Sequence, residues 1–415
     1  MIRVTPLRFT LSTRTMSSQT AKGLRGILQK NPDDVVITFA KRTATGKTKR
    51  GQFKDVPVDE MMQALLKATL EKTGLDPRKI DDICVGTCHP PSPAYASRAA
   101  ALAAGIPHDV PVTSLNRLCA SGLMAIRYIA HAIQSREISL GIAIGVENMT
   151  LNPRPTPLIS EEVDKNPQAH DCIQPMGWTS EMVAQTYHIS RQKQDEFALI
   201  SHTRASQALA RGVFAEEILP IEIRGTVISV DDTIRSGVTM ESLSALKPVF
   251  PDWGPASTTA GNASGIGDGA ALCILTTRAR AQQEGMEIVG KWVGSAITGV
   301  EPRYMGVGPV AAIPKVLEQF GLSKSDIDIN EAFASQFAYC VEELDIPMDM
   351  INPNGGAIAL SHPLGMTGVR QVVTGLAELR RRQGRVLCTS MCVGSGMGAA
   401  GILVNESLPS CSSKL

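Results

Sequence analysis

An α/β fold built from two related halves is what this sequence predicts, and three observations carry the expectation. Short β-rich apolar runs alternate with helical ones over most of the chain. The stretch LEKTGLDPRKID, from Leu70, returns as LEQFGLSKSDID, from Leu317, with LExxGLxxxxID in common. Between the two series, residues 151–255 are irregular and rich in Pro, Ser and charge, as expected of an insertion between rigid units.

The first series opens with DVVITFA, from Asp34, whose β-branched and aromatic residues suit a strand. VDEMMQALLKATLEKTGL, from Val58, reads as a helix. IDDICVGT, from Ile80, reads as a strand, ASRAAALAAGI, from Ala96, as a helix, the apolar run behind Cys119 as another helix, and SLGIAIGV, from Ser139, as a buried strand. Within the insertion, RQKQDEFALISHTRASQALARG is helical and EEILPIEIRGTVISV strand-like. The second series runs through AAIPKVLEQFGL, IDI, GVRQVVTGLAELRRR, RVLCTSMCV and GAAGILV. The expected domains are therefore a tail over 1–32, a first domain from 33–150 plus 256–287, the insertion at 151–255, a second domain at 288–407 and a tail at 408–415.

At 415 residues and 43% hydrophobic content, the chain is long enough for more than one packed core. A net charge of +1 supplies no global field toward nucleic acid or an anionic membrane, and the apolar runs are too short for a span. Nine cysteines, an odd number over a long chain, do not suit a disulfide framework, and the spacing of Cys84/Cys88 and Cys388/Cys392 does not suit zinc. The first 30 residues carry Arg3, Arg8, Arg14, Lys22, Arg25 and Lys30 with no acid before Asp33, which fits a mitochondrial presequence or a disordered basic tail, and Met16 offers a second start. The chain closes on Ser413, Lys414 and Leu415, the signal read by the peroxisomal import receptor, so the peroxisomal matrix is expected, with the mitochondrion as the alternative.

Four stretches carry chemistry. In TSLNRLCASGLMAI, Cys119 opens a helix whose dipole favours a thiolate, and Ser121 and Gly122 allow close backbone approach; a small buried core residue is the plain alternative. In NPNGGAIALSHPLGMTGVRQVV, His362 starts a second helix in a glycine-framed turn, related to Cys119 by a pseudo-twofold axis if the halves are duplicated. In SMCVGSGMGAA, Cys392 follows a buried strand, where a second thiol can act as acid or base, and the amides of Val393 and Gly394 are placed for an oxyanion hole. In NEAFASQ, Asn330 suits positioning of a water, or simply a helix cap.

Together, NRxCxSG, NEAFA, GGAIAxxHPLGxTG and CxGxGMGAA, in that order, resemble the thiolase family, with support from PMGWTSEM, ESLSALKPVF, TTAGNASGIGDGAA and MGVGP, and the likeness spans residues 33–405. It is strongest to the peroxisomal 3-ketoacyl-CoA members. The resemblance implies duplicated α/β/α/β/α layers and acetyl-CoA C-acyltransferase chemistry. Cys119 would form the acyl thioester, His362 activate it, and Cys392 protonate the leaving acetyl-CoA and deprotonate incoming CoA. It implies two oxyanion sites, His362 with a water on Asn330, and the amides of Cys119 and Gly394. It further implies contacts of coenzyme A, a substrate, with Ser242, Leu243, Ala260, Ser264, Met305 and Phe333. No metal or bound cofactor is implied, and a homodimer is.

Three departures stand out. Ser361 replaces a Gly usual in the family, and Met366 an occasional Cys. Before Asn330 the chain lacks about three residues of the family's strand, a loss that should shift register and side-chain facing. A biosynthetic acetoacetyl-CoA thiolase, or an inactive CoA- or lipid-binding relative, are the alternatives to a degradative enzyme.

Overall fold

The computed structural model describes residues 22–326, 328–330 and 334–407, with backbone alone at the short strand before Asn330. The basic N-terminal stretch is not a tail throughout. Gly23–Ile27 forms α1, Ile27 is 2% exposed within the core of the second half, and Lys30 pairs with Glu406 at 2.9 Å. An apolar anchor at Leu24 and Ile27 orders what charge alone suggested would be solvated.

The first half follows as β1 (Val35–Arg42), the two-residue β2 (Gly46–Lys47), α2 (Val58–Thr73), β3 (Asp82–Gly86), α3 (Pro93–Ala103), β4 (Val112–Leu115), α4 (Ser121–Gln134) and β5 (Leu140–Asn148). The insertion contributes α5 (Glu161–Asp164), α6 (Pro167–Cys172), α7 (Met176–Thr186), α8 (Arg191–Ala210), the hairpin β6 (Ile221–Ile223) and β7 (Thr226–Ile228), and α9 (Met240–Ser244). Arg224 and Gly225, both at positive φ, make the two-residue turn that such a hairpin requires. The chain then returns through β8 (Gly267–Thr277) and α10 (Arg278–Gln283). The second half is β9 (Gly290–Gly299), α11 (Gly308–Phe320), β10 (Asp328–Asn330), α12 (Ala334–Leu344), α13 (Ala357–Leu360), α14 (Leu364–Arg382), β11 (Val386–Val393) and β12 (Met397–Asn405).

Strand order demonstrates the duplication. The first half-sheet runs β4-β3-β5-β8-β1 and the second β10-β11-β12-β9, so β1, β3, β5 and β8 have counterparts in β9, β10, β11 and β12. The two meet edge to edge only at Val36–Lys291 and Ile37–Gly290. The repeated LExxGL marks the same event twice: α2 and α11 each end on a left-handed glycine, Gly74 and Gly321, both at φ 65°. Each is followed by a 3-10 turn into the next strand.

Helices α2 and α3 cover one outer face and α11 and α12 the other, while α4 and α14 lie together between the half-sheets. Burial follows this layering. Helix α2 buries a stripe, Met61, Met62, Leu65 and Leu66, but α14 is buried on all sides from Gly365 to Leu376.

The expected effect of the deficit before Asn330 falls on a segment that is described only in part. The part of this segment that is described, β10, pairs in parallel with β11 from Asp328–Leu387 to Asn330–Thr389, and residues 327 and 331–333 on either side lie outside the described residues.

The insertion is bolted on by buried charge. Arg42 of β1 reaches Glu217 at 2.7 Å and Asp231 at 2.7 and 2.8 Å, and Thr374 of α14 adds a hydrogen bond to Glu217. All three charged residues are at most 4% exposed.

Candidate active site

Cys119 sits in a tight passage from β4 to α4. Leu118 is held at φ 47°, a left-handed value uncommon for leucine, by side chains that replace missing backbone bonds. Asn116 Oδ1 accepts from the Leu118 amide at 2.8 Å, while Ser121 Oγ accepts from the Arg117 amide and donates to the Leu118 carbonyl. The thiol is 4% exposed. Burial pushes it up to about 11, against hydrogen bonds from the amides of Gly394 and of Cys119 itself, and nearby Glu147 adds to the rise. Position before a helix was expected to lower this thiol; the cost of desolvation is larger, so the group stays protonated at neutral pH.

His362 occupies the same place in its own half. Cys119 is followed by the N-cap Ala120 and the first helical residue Ser121, and His362 by the N-cap Pro363 and Leu364. The hydroxyl of Thr367 donates to the Pro363 carbonyl at 2.8 Å and therefore meets His362 Nδ1, 2.6 Å away, as an acceptor. Nδ1 carries the proton and Nε2 the lone pair. Burial, with the Arg370 guanidinium second, lowers the imidazole to about 4, which keeps it neutral and able to accept a proton.

Cys392, 2% exposed, lies at the end of β11, and its thiol donates to Gln336 Oε1 of α12 at 2.9 Å. Two residues on, Gly394 directs its amide to the Cys119 sulfur, and Met176 Sδ of the insertion would lie 3.6 Å from a Cβ built on Gly394. The structure thus joins the first and third stretches directly.

Glu147 joins the first and second. Buried at the end of β5, its carboxylate accepts from the amides of Cys88, His89 and Gly365, so one side chain clamps the loop under Cys119 and the start of α14. Burial raises its carboxyl against those three bonds. Beside it, α4 and α14 approach backbone to backbone. A Cβ on Gly122 would stand 2.5 Å from the Gly365 carbonyl, one on Gly145 2.4 Å from the same atom, and one on Gly368 2.2 Å from the Leu123 amide. Thr367, Glu147 and Gln336 were not singled out from sequence. For Glu147 a signal was present, an acid closing the apolar run LGIAIGV.

The remaining expected residues are more dispersed. Asn330 pairs with Thr389, three positions before Cys392 on β11, or about 10 Å along the strand. Ser242 is exposed and closes a capping box with Thr239, while Leu243 is 2% exposed against Ala198, Ala334 and Ile358. Ala260 is exposed, and Ser264, half-buried, precedes Gly265, whose carbonyl accepts from the His362 amide at 2.8 Å. Met305 is fully buried, and Phe333 lies outside the described residues. A cleft of about 1040 Å³ opens at the other end of α14, lined by Lys41, Glu216 and Arg380, and holds none of these groups.

Comparison with known proteins agrees with this geometry. The family profile described as Thiolase, N-terminal domain, matches residues 35–279, and Thiolase, C-terminal domain, matches residues 286–405. The peroxisomal 3-ketoacyl-CoA thiolase B of Mus musculus is 46% identical over 399 residues, covering 92% of this chain and 94% of its own. The peroxisomal 3-ketoacyl-CoA thiolase of Homo sapiens is 45% identical, with the same coverage. Among solved structures, the dimeric peroxisomal thiolase of Saccharomyces cerevisiae superposes with a TM-score of 0.87 at 44% identity, over 92% of this chain and all of its own. A Bacillus anthracis acetyl-CoA acetyltransferase gives 0.81 at 36% identity, over 90% and 98%.

Proposed function

The chain belongs to the thiolase family, and on that premise we infer that it is a peroxisomal 3-ketoacyl-CoA thiolase of fatty-acid β-oxidation, cleaving 3-ketoacyl-CoA with CoA into acetyl-CoA and a shortened acyl-CoA. The observation that carries the reading is the sharing of Gly394 between two thiols: its amide meets Cys119, and Cys392 stands two residues before it on the same turn. Such an arrangement suits a nucleophile and a separate proton carrier acting on one acyl group.

His362 Nε2 takes the Cys119 proton and the thiolate attacks the 3-keto carbonyl. Cleavage leaves the acyl group on sulfur and the enolate of acetyl-CoA, which Cys392 protonates. Incoming CoA then gives its thiol proton to Cys392, its sulfur takes the acyl group from Cys119 as the shortened acyl-CoA, and the departing Cys119 thiolate recovers its proton from His362. The amides of Gly394 and Cys119 take up charge on the thioester oxygen, and His362 with a water on Asn330 serves the first oxyanion. Coenzyme A enters as a substrate beside Ser264 and the α9 rim, and no bound cofactor or metal takes part. The dimeric yeast relative supports a homodimer, and the peroxisomal relatives support recognition of Ser413-Lys414-Leu415, which lies outside the described residues, by the import receptor. No described helix is long and apolar enough to cross a membrane.

One observation favours a second reading. The sequence before Asn330 is about three residues shorter than the family's pattern, which suits a protein that binds CoA without turning it over. Thiolysis of a medium-chain 3-ketoacyl-CoA decides between them. Turnover is expected, falling roughly 10³-fold or more in Cys119→Ala. The acid limb of kcat/KM should lie near pH 4, because the neutral base is present above the lowered value of His362 and lost below it. Absence of turnover in folded protein that still binds CoA would establish the second reading.

A further inference from the structure

We propose that Gln336 is a positioning residue that serves both protonation states of Cys392 by turning its carboxamide end for end. The proposal deepens the thiolysis reading and rests on it for its effect on turnover. In the free enzyme, Gln336 Oε1 accepts from the Cys392 thiol at 2.9 Å. Its other end, Nε2, is buried and has no hydrogen-bond partner among the described residues, in a side chain only 2% exposed. A buried amide normally spends both ends, so an idle donor here costs free energy unless another state uses it.

The reaction provides that state. When the thiol passes its proton to the acetyl-CoA enolate, Cys392 becomes a thiolate, which needs a donor and has no proton to give. Half a turn about the last side-chain bond of Gln336 exchanges Oε1 for Nε2 and presents an N–H to the anion. When the CoA thiol returns the proton, the amide turns back. Because the outward end is unpartnered in the free enzyme, Cys392 decides the orientation. Gly306 leaves room for the turn: a Cβ there would stand 2.3 Å from Gln336 Cγ and 2.7 Å from Nε2. Asn carries both ends on a frame one methylene shorter, and an ionised Glu, which has no donor, would serve only the thiol.

Other charged or titratable groups also surround β11. Cys119 and His362 lie in the site, Arg370 is buried along α14, and Cys388 and Cys340 are core thiols. Arg303, paired with Asp171, Tyr304, Lys315 and Glu318 lie toward solvent. Gln336 is a neutral group that hydrogen-bonds Cys392 Sγ directly.

The test is the pH profile of iodoacetamide alkylation at Cys392, mapped by peptide mass spectrometry, in the full-length wild type, Gln336→Met and Gln336→Glu. Methionine matches the length without donor or acceptor, and glutamate keeps the shape while offering an acceptor alone once ionised. In both variants the alkylation midpoint should rise by about one pH unit or more, a tenfold loss of thiolate at fixed pH. For 3-ketoacyl-CoA thiolysis, kcat should fall about tenfold with KM within about twofold. A midpoint within about 0.3 unit of wild type in either folded variant would overturn the proposal. If Gln336→Met does not fold, Gln336→Glu decides alone. Since alkylation is read without turnover, a protein that fails to catalyse thiolysis and a glutamine that fails to tune Cys392 give separate results.

Discussion

Ser361 stands at φ 67° and ψ 174°, a combination that only glycine adopts without strain, one residue before His362. Its hydroxyl is buried without a partner among the described residues and presses toward Gly265 and Gly267, which have no side chains to resist it. Ser361→Gly should therefore stabilise the fold by ~1 kcal/mol, the relief of backbone strain exceeding the extra freedom glycine gives the unfolded chain. Ser361→Ala, which keeps the strained backbone, should recover less; urea unfolding of the pair distinguishes them. At this scale the sequence singled out Cys119, His362 and Cys392 by residue type, and the structure places all three buried at the ends of their elements. The sequence was silent on Thr367 and Gln336, whose roles depend on which atom faces which, and it overstated the helix start at Cys119 because burial cannot be weighed from neighbours in the chain.

Between elements, the clamp at the end of β5 does more than any single helix to assemble the site. Glu147 receives three amides from two segments that sequence keeps far apart, Cys88 and His89 on one side and Gly365 on the other. Glutamine in its place offers one acceptor and directs an NH₂ at an amide that already donates. Glu147→Gln should cost about 2 kcal/mol, since charge-assisted bonds to buried carboxylates are lost, and the denaturation midpoint measures it. Most strands and helices could be read from periodicity, and the glycine caps of α2 and α11 explain why the repeat was visible at all. Strands β4, β8 and β9 were passed over: β4 is short and half-buried, and β8 and β9 begin in glycine-rich sequence that resembles loop.

For the molecule as a whole, a twelve-residue echo was enough to predict duplication, and strand order bears it out; layer order needed the resemblance, because nothing local distinguishes a central helix from an outer one until its burial is seen. Nor did charge counting expose Arg42, a cation inside the structure that ties the first half to the insertion and, through Glu217, to α14. Arg42→Met leaves Glu217 and Asp231 buried without their cation, which should cost 3–5 kcal/mol by the usual penalty for one broken buried pair, and residues 211–238 should become the first sites of limited proteolysis. The glycine contact between α4 and α14 has a different consequence. Because Gly122, Gly365 and Gly368 let α4 and α14 pack backbone to backbone, a displacement of the turn that carries Cys119 is passed to the turn that carries His362, and the two halves behave there as one mechanical part.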